Sequence, residues 1–182
     1  MIDSKQASEA LTEIDEIVRR VRQSRIYNLA SLMRMMWGVL VFFGYVATWL
    51  SPRNGGILWI AIYAMGIAGS FVISRYDHAR EGVRTFDLRM LTAFALFVAF
   101  GIFCCWLGHF TPRQLGTFWP IYFMLVYTLA GLWAGYAFIA IGLGITALTL
   151  IGYFFAGDWF DLWMAFVDGG GLMLGGLWMR RN

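Results

Sequence analysis

Residues 118–156 carry no charged side chain at all. At about 1.5 Å per residue, a single helix of that length would be roughly twice as thick as the ~30 Å hydrocarbon core of a bilayer. As soluble structure the run would need a core larger than this 182-residue chain can build, so the economical solution is two apolar helices folded back on each other in lipid. No charge marks the hairpin, which is expected near residues 135–138.

Four further apolar runs, at 29–50, 56–74, 90–107 and 159–178, extend the pattern. Only 14% of the chain is charged and 60% is hydrophobic, against about 25% charged in an ordinary soluble domain. The ten-residue alternation of a transmembrane β-barrel is absent. The expected fold is therefore all-α: a polytopic membrane protein with six transmembrane helices (29–50, 56–74, 90–107, 118–135, 138–156 and 159–178), forming a domain 29–182. An amphipathic cytosolic helix, residues 1–28, precedes it.

Basic residues near span ends favour the cytosol. Six spans leave only Arg53 and Arg113 outside and put the other basic residues, from Lys5 through Arg34, Arg75 to Arg89, and Arg180 with Arg181, inside. Leaving the long run unsplit would export Arg180 and Arg181. The expected location is a cell inner membrane, with both termini cytoplasmic. No short basic region followed by an apolar one opens the chain, so the first span is expected to act as its own uncleaved insertion signal. The net charge of +3 does not indicate nucleic-acid binding, because the bases flank apolar runs instead of forming one basic surface.

Within residues 1–28, Leu11, Ile14, Val18 and Val21 recur at steps of three and four, the signature of one helix face. Acids precede the bases Arg19, Arg20, Arg22 and Arg25, which suits the helix dipole. Such a stripe has no core of its own to bury it, which points to membrane lipid, a cytosolic protein partner or a homo-oligomer.

Asp168 is the sharpest single residue. A carboxyl at the centre of the last span costs several kcal/mol unless protonated, paired or hydrated, and Thr146, Tyr127 and Thr128 are the expected polar neighbours. Arg34 is shallow enough to snorkel to the headgroups. Asp158 and Asp161 read as caps of the last span, and Pro120 as a first-turn residue of the fourth. The small-residue pairs Gly131 with Gly135 and Gly171 with Gly175 suit close helix packing. Cys104 and Cys105 read as small packing residues.

His78 and His109 fall on opposite sides, so no metal site is expected, and no cofactor fingerprint or catalytic motif occurs. Two functional readings remain. One is a non-enzymatic interaction, regulatory or accessory protein working through the amino-terminal helix. The other is a small proton- or cation-coupled transporter or channel using Asp168.

The topology makes a direct prediction. With Cys104 and Cys105 replaced, single cysteines at Asn54, Gln114 and Asp158 should react with an impermeant thiol reagent from outside the cell. Reaction of a cysteine at Asn182 from that side would contradict six spans.

Overall fold

The computed structural model describes the backbone of residues 4–81 and 88–181, and the side chains of residues 12–14, 29–76, 89 and 91–179. Every long element is helical: α1 Ser4–Leu50, α2 Gly55–Glu81, α3 Leu88–Leu107, α4 Pro112–Ala134 and α5 Tyr136–Phe155. A final rod follows, built from α6 Phe160–Met164, a π-helical segment Ala165–Gly170 and α7 Gly171–Arg181. Five stretches are long and apolar enough to cross a membrane: Leu29–Leu50, Pro52–Tyr76, Pro112–Ala134, Tyr136–Phe155 and Gly157–Met179. The apolar stretch of α3, Leu91–Leu107, is shorter. Large apolar side chains such as Ile57, Phe100, Trp133 and Phe155 face outward, the exterior that a lipid solvent requires.

The amino-terminal helix is not a separate element. No proline or glycine occurs before Gly38 to break the ladder, and α1 runs unbroken through residue 28 into the first apolar stretch. Ile14 is 55% exposed, while the side chains of Leu11, Val18, Val21, Arg19, Arg20, Arg22 and Arg25 lie outside the described residues.

The hairpin in the uncharged run is made by one residue. Gly135 has φ 125°, a conformation side chains resist, and it separates α4 from α5. Its N–H bonds to the Gly131 carbonyl at 3.0 Å, and the Phe138 N–H bonds back to Gly135 at 3.2 Å. Gly135 is thus the turn and not the second half of a packing pair, while Gly131 faces Ile139 across the hairpin. Farther up, α4 begins earlier than apolarity suggests. Pro112 occupies the first turn and Thr111 caps it, with a Thr111–Gln114 capping box, so the segment expected as an outer loop is helix.

The last rod forms the centre of the bundle, and glycine lets two neighbours approach it. On one face, Gly171 and Gly175 receive Ile145 and Ile141 of α5, so this predicted pair packs within the chain. On the other face lies α1: a Cβ at Gly169 would fall 2.7 Å from the Phe42 backbone, and one at Gly38 only 2.8 Å from the Gly169 carbonyl oxygen. Ser31 Oγ donates to the Gly176 carbonyl at 2.6 Å. In lipid, where apolar burial drives little association, such close backbone packing supplies much of the cohesion. Three buried layers stack along the rod: Val41, Tyr45, Phe160, Met164 and Ala165 at one end, Met124, Ile145, Val167 and Leu172 in the middle, and Ala137, Phe138 and Met179 at the other.

The two more peripheral helices attach through aromatic side chains. Ser70 Oγ of α2 accepts from Trp37 Nε1 of α1 at 3.1 Å. On α3, Phe97 stacks on Tyr122 of α4 at 4.1 Å between centroids, and the Tyr122 hydroxyl donates to the Phe97 carbonyl.

Neighbouring glycines should respond oppositely to one methyl group. Gly169→Ala drives a Cβ into the Phe42 backbone and should lower stability by about 1–3 kcal/mol, whereas a Cβ at Gly170 meets nothing within 4 Å and Gly170→Ala should be silent. Thermal unfolding of the purified protein in detergent measures both, and equal effects would contradict this packing.

Candidate functional site

Asp168 is only 6% exposed. It sits in the π-helical segment Ala165–Gly170, where i→i+5 bonding widens the turn, a distortion often found at functional positions. The glycines that follow, Gly169 and Gly170, make that distortion cheap. Among the described residues, no group hydrogen-bonds to the Asp168 carboxyl.

The structure does not assemble the polar set expected around Asp168. The Thr146 hydroxyl donates to the Gly142 carbonyl of its own helix at 2.7 Å, and the Thr128 hydroxyl to Met124 at 2.9 Å. Both follow the i−4 pattern by which hydroxyls in helices satisfy themselves. Tyr127 instead stacks on Arg34. What the packing fixes beside Asp168 is its neighbour Gly169, which abuts the Phe42 backbone of α1. Asp168 thus lies one residue from the closest approach of the last rod to α1.

Tyr45 owes its position to a proline nine residues into α4. The capping box at Thr111 lengthens that helix, so Pro120 falls in its interior instead of its first turn. Having no N–H, Pro120 leaves the carbonyl of Gly116, four residues back, without its intrahelical donor. The Tyr45 hydroxyl replaces that donor, bonding to Gly116 O at 2.7 Å. Tyr45 itself is 3% exposed, and its ring meets Trp59 edge-on at 4.9 Å. Trp59 in turn lies 5.7 Å from the Tyr63 ring, so the two tyrosines bracket one tryptophan.

Arg34 is a second buried polar centre, distinct from the first. It does not snorkel: it is 1% exposed, and its guanidinium lies 4.5 Å from the Tyr127 ring centroid and 4.2 Å from that of Phe138, with an N–H directed at Met179 Sδ. Nor does it pair with Asp168. Gly169 abuts Phe42, whereas Arg34 lies two turns away along α1, roughly 12 Å. Cation–π contact with rings from α4 and α5 takes the place of headgroups. The sequence did carry a signal for this burial. Ser31, Arg34, Gly38, Val41 and Tyr45 recur at alternating steps of three and four, and all are buried, so Arg34 lies on the packing stripe of α1.

No protein-family model, curated protein or solved structure matches the chain. The function must therefore be argued from these two centres and from α1.

At the Asp158 end, the carboxylates do not cap. A 3₁₀ turn Gly157–Trp159 opens the last rod, and neither it nor α6 has a side-chain cap bond. Gly157 turns the chain there with φ 54°. Asp158 is exposed, and the half-buried Asp161 lies in the field of Arg113. Arg113 donates to the Tyr153 carbonyl at 2.7 Å and lies 5.2 Å from the Phe160 ring centroid. Among the described residues no group of three or more His, Cys, Asp or Glu side chains is placed to hold a metal ion.

The dependence of Tyr45 on Pro120 is testable as a double-mutant cycle. Tyr45→Phe alone should destabilise by about 1–3 kcal/mol, the cost of an orphaned buried carbonyl. In a Pro120→Ala background, where residue 120 again offers an N–H to Gly116, that cost should largely vanish. Additive effects would show that Tyr45 does not replace the missing donor.

Proposed function

We propose that the chain is a six-span inner-membrane protein with both ends cytoplasmic, working as an interaction, regulatory or accessory protein and carrying out no chemistry on a substrate. Its working surface is the amino-terminal part of α1, which engages a cytosolic partner or a second copy of the chain. The observation that carries this reading is the continuity of α1 from Ser4 to Leu50. The part preceding Leu29 amounts to about 38 Å of helix at 1.5 Å per residue. It joins the span without a break, so whatever holds it is linked to the face bearing Ser31, Arg34 and Gly38.

The sequence supplies the recognition chemistry: Leu11, Ile14, Val18 and Val21 on one stripe, then Arg19, Arg20, Arg22 and Arg25 nearest the membrane. Each such arginine beside an anionic leaflet is worth about 1 kcal/mol, which suits a basic collar at the base of the rod. The apolar stripe above it remains for a protein.

Changing Leu11, Ile14 and Val18 together to Ser should abolish crosslinking between copies or to a cytosolic protein in intact membranes, while leaving insertion and thermal stability of the span domain unchanged. Undiminished crosslinking in that variant would overturn the reading.

A further inference from the structure

Helix α1 is unbroken from Ser4 to Leu50, so a face can be followed along its whole length by register. At about 3.6 residues per turn, 18 residues make five full turns. Ile14, Leu32 and Leu50 stand 18 residues apart, and all three side chains are exposed. Val39 and Phe43 return to within about 20° of the same line and are exposed as well. Positions 11, 18 and 21, the rest of the amino-terminal stripe, fall within about 60° of it. The chain's own packing uses other faces of α1. On one side of the line Phe42 abuts Gly169 of the last rod, and on the other Met36 covers Gly69 of α2, while Arg34, Gly38 and Tyr45 lie about 120° or more around the helix.

One apolar line thus runs from the span into the part of α1 that precedes it. Acyl chains cover Leu32 to Leu50 but end at the headgroups, and a soluble protein reaches positions 11–21 but not the hydrocarbon. If those two covers shared the task, nothing would tie both halves to the same side of the helix. A single helix lying along both halves requires that agreement, and it must leave the membrane at the same level with the same apolar profile. The α1 of a second copy has that profile. Two copies inserted with the same orientation run parallel, and a two-fold axis along the membrane normal sets each position against its own counterpart.

We propose that the chain self-associates through this face of α1, from Leu11 to Leu50. The proposal rests on the reading of the amino-terminal part of α1 as the working surface and names a second copy as its partner. The hydrophobic effect acts on the aqueous half, since in lipid apolar side chains gain little by meeting. The amino-terminal stripe therefore drives the pairing, and the span follows because the helix is continuous. Arg25 is the one charged residue within about 60° of the line. It stands just before the span, where anionic headgroups reduce its repulsion from its own counterpart.

Single cysteines in a chain with Cys104 and Cys105 replaced, oxidised with copper–phenanthroline in intact membranes, test the face. Ile14→Cys, Leu32→Cys and Phe43→Cys should each give a product of twice the chain mass, whereas Trp133→Cys, more exposed but on α4, should give none. Leu11→Ser with Val18→Ser should lower the Phe43→Cys product by about tenfold or more, although both changes lie outside the span. Two alanines inserted after Tyr27 turn the stripe about 200° away from the span's line and should have the same effect, whereas seven, close to two turns, should restore the product. Arg25→Leu should increase it. A product at Trp133→Cys equal to that at Phe43→Cys, or a Phe43→Cys product indifferent to the two-residue insertion, would overturn the proposal. So would trapping of Ile14→Cys in a product of another mass with none at Leu32→Cys or Phe43→Cys. That last result would keep the amino-terminal part of α1 as an interaction surface and assign it to a different protein. If instead Leu11, Ile14 and Val18 changed together to Ser left every crosslink intact, the underlying reading would fail with it.

Discussion

The backbones of α1 and the last rod touch, and the placement of the polar groups follows from that contact. Gly38 against Gly169, and Gly176 against Ser31, bring the two helices closer than any pair of larger residues permits. In water such a seam would be one contribution among many. In lipid, with little hydrophobic gain from bringing helices together, the dispersion contacts and short hydrogen bonds it allows are a principal attraction. Close approach also leaves no room for side chains to slide, so the register between α1 and the rod is set. That register puts Phe42 against Gly169 and Arg34 near Met179.

A second dependence starts from a missing hydrogen. Pro120 withdraws one donor from α4, the orphaned Gly116 carbonyl takes the Tyr45 hydroxyl, and a tyrosine that would otherwise donate to any nearby oxygen becomes purely an acceptor on its remaining side. A covalent property of one residue thus settles the hydrogen-bonding polarity of another on a different helix. The capping box at Thr111 is part of the same chain of causes, because it lengthens α4 until Pro120 lies in its interior.

How much of this was legible in the sequence varies with the physics concerned. The apolar stretch Leu29–Leu50 was legible to the residue, since charge and proline bracket it. That the uncharged run folds into a hairpin was legible because it is too long for one crossing, but the turning residue was not, since no charge marks it and Gly135 reads equally as half of a packing pair with Gly131. The start of α4 was not, because Thr111, Pro112 and Gln114 read equally as loop and as cap until the chain's direction is known. The separation of residues 1–28 as a helix of their own failed for want of any breaking residue. The surroundings of Asp168 were least legible. Depth can be counted along a sequence, but the rotation of one helix about its axis relative to another cannot, and Thr146 and Thr128 had carbonyls of their own helices within reach. For Arg34 the information was present in the stripe of Ser31, Gly38, Val41 and Tyr45, and depth was given precedence over periodicity.

Among the described residues, the buried charged side chains Arg34 and Asp168 lie on facing helices yet remain apart, and the separation is informative. Had Arg34 met Asp168, the attraction of opposite charges in a medium of low dielectric would hold the carboxyl ionised and fix the pair as a structural strut. Arg34 is instead accommodated by the faces of Tyr127 and Phe138, which stabilise a cation without supplying a counter-charge. Asp168 is left without an ion pair or a hydrogen bond among the described residues. Tyr45 and Arg34 are carried by the same unbroken α1, so the helix that continues from Leu29 back to Ser4 also holds the Gly116 carbonyl and the buried arginine. A displacement of that helix along its axis would therefore strain the Tyr45 bond to Gly116 and shift the arginine within its aromatic enclosure together, with the glycine seam resisting the movement.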